Sequence, residues 1–148
     1  MNFDPNEPVF NIGIVAEKLG ISVPTVRMYE KAGLIIPYRT PTDRRLYSLA
    51  DLERISYFRK LIKEEGLNLV SIRRLLAILP CWQLKPCTPD MRKTCPANDD
   101  CKFMCWMLSA TTCQKDENSC RNCTVYLNSY KEIEDIKRLL KKSKYYEK

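Results

Sequence analysis

Hydrophobic positions fall at helical spacing toward both ends of this chain and lose their period between them. Ile12, Val15, Ala16 and Leu19 stand at i, i+3, i+4 and i+7, one face of a two-turn helix that Asn11 can cap and Gly20 can close. Ser22 caps a second helix with Pro24 in its first turn, where a missing N–H costs nothing, and Gly33 stops it. Val26 turns inward on that helix, which leaves Thr25 and Arg27 outward. From Leu34 to Leu46 the pattern is extended, with a turn at Thr40-Pro41-Thr42-Asp43 between two short strands. Ser48 opens a third helix, with Asp51 in the capping-box position and Leu52, Ile55, Phe58, Leu61 and Ile62 on its buried face. Gly66 ends it. A fourth helix, roughly Val70 to Leu79, buries Ile72, Leu75, Leu76 and Leu79 and stops before Pro80.

Two helices on a Gly-containing turn, then a basic ribbon, are the sequence form of a winged helix-turn-helix. The last periodic stretch is Thr124 to about Tyr145, where Tyr126, Tyr130, Ile133, Ile136 and Leu140 recur at spacings of 4, 3, 3 and 4. Lys137, Arg138, Lys141, Lys142 and Lys144 crowd its other faces. This stripe favours a helix that pairs antiparallel with a second copy, with a helix packed on its own domain as the alternative. The expected fold is mainly α: a flexible tail over 1–9, a DNA-binding domain over 10–79, a cysteine-rich insert over 80–123 and a dimerisation helix over 124–148.

Composition sharpens this picture in two places. A net charge of +7, from 25 Lys plus Arg against 18 Asp plus Glu, fits a polyanionic partner. The chain has no histidine, so imidazole catalysis is excluded and any metal site is dominated by thiolates. With no carboxylate pair or phosphate loop either, an enzyme is not expected. The N-terminal MNFDPNEPVF has no basic n-region and no apolar core, and no apolar run reaches the roughly 18 residues of a membrane span. A cytoplasmic location is expected, where thiols are normally kept reduced.

The words VRMYEKAGLI, RT…RRLYS and DLERI resemble the N-terminal domain of the mercury-resistance-regulator (MerR) family of bacterial transcription factors, closest to its heat-shock-repressor branch. The resemblance covers residues 10–79. It implies a homodimer on a palindromic promoter, with the second helix in a major groove and the wings on flanking backbone. It also implies an indirect effect on RNA polymerase, through promoter bending and untwisting. Carried over by position, Thr25, Arg27, Tyr29, Arg39, Arg45 and Tyr47 are the DNA-contacting set, with Arg44 beside them. Arg and Tyr suit phosphate contacts, while outward residues of the recognition helix read base edges. Many relatives carry Gly at the wing tip, where this chain has Thr42-Asp43.

Cysteines stand at 81, 87, 95, 101, 105, 113, 120 and 123, separated by 5, 7, 5, 3, 7, 6 and 2 residues. A segment so poor in periodic apolar residues is not expected to build a core unaided. Cys81-Trp82 and Cys105-Trp106 each open a group of four, a weak repeat that resembles a "two-CW" segment of bacterial sensor proteins. Disulfides do not suit a reducing compartment. Structural zinc uses paired knuckles, and Cys101-Cys105 and Cys120-Cys123 have that spacing. Iron–sulfur clusters take four cysteines each at irregular spacing. Cys95-Pro96 has the Cys-Pro form common beside such clusters, and Trp82, Phe103 and Trp106 can shield them. One or two 4Fe–4S clusters are favoured, and zinc is the alternative cofactor. Direct sensing of a soft metal ion by open thiolates is a third reading.

Overall fold

The computed structural model describes residues 2–109, 111–113 and 117–136. The chain divides between Val70 and Ser71 into two compact units.

The first unit holds α1 (Ile12–Leu19), α2 (Val23–Lys31), β1 (Tyr38–Arg39), β2 (Arg45–Leu46) and α3 (Leu49–Glu64). Helix α4 (Leu69–Ala77) begins within it and runs into the second unit. Its starts and stops are chemical. The Asn11 side chain accepts the Ile14 N–H at 2.9 Å, and Gly20 closes α1 in the left-handed region at φ 64°. Ser22 Oγ accepts the Thr25 N–H at 3.2 Å. Ser48 and Asp51 form the reciprocal capping box of α3, at 2.7 and 3.1 Å. β1 and β2 pair antiparallel, Tyr38 opposite Leu46 and Arg39 opposite Arg45. In the wing turn Asp43 takes φ 61°, the left-handed conformation that a glycine adopts freely and that Asp tolerates better than most residues. The turn chemistry is therefore kept without the glycine.

Val15, Val26, Leu34, Ile35, Ile55 and Phe58 are buried in this unit. So is Arg54, whose Nε donates to the Leu34 carbonyl at 2.6 Å and whose guanidinium lies over the Phe58 ring. The expected flexible tail is tied down in part. The Val9 and Phe10 N–H groups donate to the Tyr47 carbonyl, the Tyr47 N–H donates back to Phe10, and the Ala50 N–H donates to the Pro5 carbonyl at 2.9 Å.

The second unit contains most of α4, then α5 (Cys81–Leu84), α6 (Pro89–Lys93), α7 (Glu117–Arg121) and α8 (Thr124–Glu132). Single 3₁₀ turns lie at Pro96–Asn98, Cys105–Met107 and Ile133–Asp135. The cysteine segment shares a core with α8, which supplies what the cysteine loops lack. Val125, Tyr126, Tyr130 and Ile133 are buried with Met104, and the Trp106 ring meets Tyr126 edge-on at 5.2 Å.

This packing corrects the reading of the last helix. Tyr126, Tyr130 and Ile133, the first part of the presumed dimer seam, are covered by the chain's own residues. The stripe faces inward because aromatic area is worth most where the loops offer apolar partners. Ile136 is half-exposed, and Leu140 with Lys137, Arg138, Lys141, Lys142 and Lys144 lies outside the described residues.

Candidate nucleic-acid interface and thiol cavity

Helix α2 presents one outward face and one buried face. Arg27 and Met28 are exposed, and Thr25 is half-exposed with its hydroxyl 2.8 Å from Ser22 Oγ at the helix start. On the wing, Arg44 is exposed, while Arg39 reaches Asp43 Oδ1 at 3.4 Å across the turn. Both wing positions leave a cation at the surface.

The other three expected contact residues are placed differently. Tyr29 and Tyr47 are 3% and 0% exposed, so neither ring lies at the surface. Burial raises the Tyr29 hydroxyl above its ordinary pKa, with the Arg59 charge opposing. Arg45 turns the other way from Arg44, as strand neighbours do. Its Nε donates to Glu30 Oε2 at 3.0 Å, and the Tyr47 hydroxyl donates to Glu30 Oε1. Glu30 is thus the residue that sequence reasoning missed: an α2 carboxylate serving the wing. Burial raises its pKa, opposed chiefly by Arg45 and less by Arg39 and Arg27. The only signal for it was its place next to Tyr29, which gave no hint of a partner fifteen residues away.

In the second unit, seven of the eight cysteines line one cavity of about 60 Å³; only Cys101 does not. No disulfide joins any of the eight among the described residues. Cys101 is exposed, with its sulfur near the Asp99 carbonyl at 3.8 Å. Lys85, Arg92, Trp106, Val125 and Tyr126 complete much of the wall, and Asn98 leaves its Oδ1 buried there without a hydrogen-bond partner among the described residues.

The two Cys-Trp cysteines are half-buried on this wall. Burial pushes the Cys81 thiol up to about 11, reinforced by Cys87, Cys95 and Cys113 nearby. Cys105 is raised further, first by burial and then by Cys81, Cys113, Cys123 and Cys120. The cysteines therefore interleave: Cys81 and Cys105 share Cys113 as neighbour, and the split into 81–101 and 105–123 does not describe the site. Among the described residues, no three cysteine, aspartate or glutamate side chains stand close enough to hold a single metal ion. Of the three expected shields, Trp106 is on the wall. Trp82 stacks under the Arg92 guanidinium at 5.1 Å, and Phe103 lies at the surface.

Comparison with known proteins resolves the first half of the chain. Residues 10–78 match the family described as "MerR HTH family regulatory protein". The "Putative heat shock protein HspR" of Streptomyces coelicolor is 35% identical over 71 residues, covering 48% of this chain and 47% of the relative. The "Mercuric resistance operon regulatory protein" of Bacillus cereus is 39% identical over 71 residues, covering 47% and 53%. A "Probable heavy metal-dependent transcriptional regulator" of Haemophilus influenzae is 39% identical over 69 residues, covering 46% and 53%. The chain spans about half the length of these curated relatives. The caps and the wing of residues 10–78 agree with this match to the MerR helix-turn-helix family, which covers less than half of the chain.

Proposed function

We propose that this protein is a homodimeric, DNA-binding transcriptional regulator that senses redox state, or a related signal, through an iron–sulfur cluster of the 4Fe–4S type. The observation that carries this reading is the convergence of seven thiols on one cavity in a chain that also bears a MerR-family domain.

The donor chemistry fits such a group. Without histidine the available ligands are thiolates, which iron–sulfur clusters take four at a time. The free space, about 60 Å³, is several times the roughly 10–15 Å³ that one water occupies on the same measure. It suits a polyatomic group better than one bare ion, and seven thiols on one cavity argue for one cluster per chain. When bound, a cluster supplies a one-electron couple and a charge that changes on oxidation or loss. Four of the seven cysteines hold it, Cys81 and Cys105 among them, since burial and neighbouring thiols act on both. Trp106, Val125 and Tyr126 keep water from the sulfurs, and Lys85 and Arg92 offset the negative charge of the thiolates.

In the head, Arg27 and Thr25 face the major groove from α2, and Arg39 and Arg44 grip phosphates from the wing. Arg45 and Tyr47 contribute by shape, as they hold Glu30 and the wing base in register, and Tyr29 contributes by its burial in the core. The dimer places two such heads on a palindromic promoter, and polymerase responds to the DNA geometry rather than to a direct contact. The protein acts in the cytoplasm; no helix among the described residues is long and apolar enough to cross a membrane.

Anaerobic isolation, with iron, zinc and acid-labile sulfide measured per chain, tests the cofactor. Coloured protein with about four iron and four sulfide is expected; colourless protein with stoichiometric zinc sinks the redox version and leaves a structural zinc module. Duplex binding at low ionic strength tests the head, and failure to bind any member of a random duplex pool overturns it.

A further inference from the structure

Helix α4 belongs to two descriptions at once. The MerR-family match runs to residue 78, yet from Ser71 onward α4 clusters with the cysteine unit. It is the chain segment that both halves share.

One side chain on it engages the cysteine loops. Arg73 Nε donates to the Lys102 carbonyl at 3.1 Å, and its guanidinium covers the Phe103 ring at 4.6 Å. The loop it holds is itself folded tightly. One oxygen of Asp100 accepts the N–H groups of both Lys102 and Phe103, each at 2.7 Å. Met104 follows, 1% exposed, and then Cys105 on the cavity wall. Cys101 and Cys105 therefore bracket the two residues that Arg73 grips, and only buried Met104 separates Phe103 from a wall thiol.

We propose that Arg73 is the positioning residue through which the state of the thiol site is passed to α4, and so along the chain to the DNA-binding head. This rests on the sensing function proposed above and names its route. When Cys105 moves to ligate or to release a bound group, Phe103 and Lys102 move with it, because Met104 is packed and cannot absorb the shift. Arg73 follows by two contacts of different kinds, a hydrogen bond and a stacked face. An arginine makes both with one planar group, and a lysine cannot.

The test is a ratio. A duplex selected from a random pool by the full-length loaded protein is titrated with loaded and with cluster-free protein, and the two affinities are divided. Coupling of the usual size makes the wild-type ratio on the order of tenfold. R73A and F103L are expected to bring it to within twofold of 1 while iron, sulfide and visible spectrum stay as in wild type. R73K, which keeps the charge but not the fork, is expected to fall between. A tenfold ratio retained in both R73A and F103L overturns the proposal. Should R73A fail to load, F103L and R73K decide by the same ratio. A wild-type ratio of 1 removes the sensing function itself and this route with it, so the two failures are told apart.

Discussion

Arg45 and Glu30, fifteen residues apart in sequence, meet at 3.0 Å, and Tyr47 occupies the carboxylate's other oxygen. One half-buried acid thereby joins the recognition helix to the wing. Truncating it, as in E30A, leaves the buried Tyr47 hydroxyl without its acceptor, at a cost of roughly 1–3 kcal/mol. A lowered urea midpoint with an unchanged m-value is the expected result. An unchanged midpoint means that the carboxylate does not hold the wing.

The same residue sets a pH dependence. Burial raises the Glu30 pKa above the unfolded value, and Arg45 offsets this only in part. A raised carboxyl favours the protonated form in the folded state. Its contribution is therefore fully present below the unfolded pKa and is lost as pH rises through the folded one. Relative to E30Q, wild type should gain stability as pH falls from neutral through that window. Urea midpoints of both proteins across pH 4 to 7 check this; parallel curves contradict it.

Arg44 and Arg45 are adjacent but not equivalent. Arg44 is exposed, so R44A is expected to weaken binding evenly across sequences and to reduce the salt slope by about one unit. R45A should act instead through the wing, lowering stability as well as affinity. Affinity measured at several salt concentrations, beside a denaturation curve, separates the two.

Cys101 stands apart from the seven cavity thiols. C101S is expected to keep the full iron and sulfide content, whereas C81S and C105S lose most of it. Metal and sulfide analysis of the three anaerobically isolated variants checks this, and loss in C101S refutes the grouping.

Tyr126 is buried against Trp106 rather than set aside for a partner. Y126A is expected to cost about 3–5 kcal/mol, as large aromatic truncations in a core do. The loss should be independent of protein concentration. A loss that disappears at high concentration restores Tyr126 to a dimer seam.

The head was legible because its signals are local. A cap residue and its partner lie three positions apart, so Asn11, Ser22, Ser48 and Asp51 could be read directly. What the residue string hid was contact across distance. Arg54 reads as a solvent-facing helix residue until the Leu34 carbonyl, twenty positions away, is brought to its Nε. Arg45 and Tyr47 read as phosphate ligands for the same reason. The irregular cysteine intervals carry no period from which neighbours could be inferred. The stripe on α8 was seen correctly as apolar. Its partner was not, since nothing in periodicity separates a helix covered by its own loops from one covered by another chain.

Because Val9 and Phe10 donate to the Tyr47 carbonyl and Tyr47 donates back to Phe10, residues 9 and 10 are part of the foundation of the wing hairpin. A trimmed expression version starting at Phe10 removes the Val9 donor and is thus a perturbation of the wing. Binding data from preparations with and without residues 1–9 are measurements on two different hairpins.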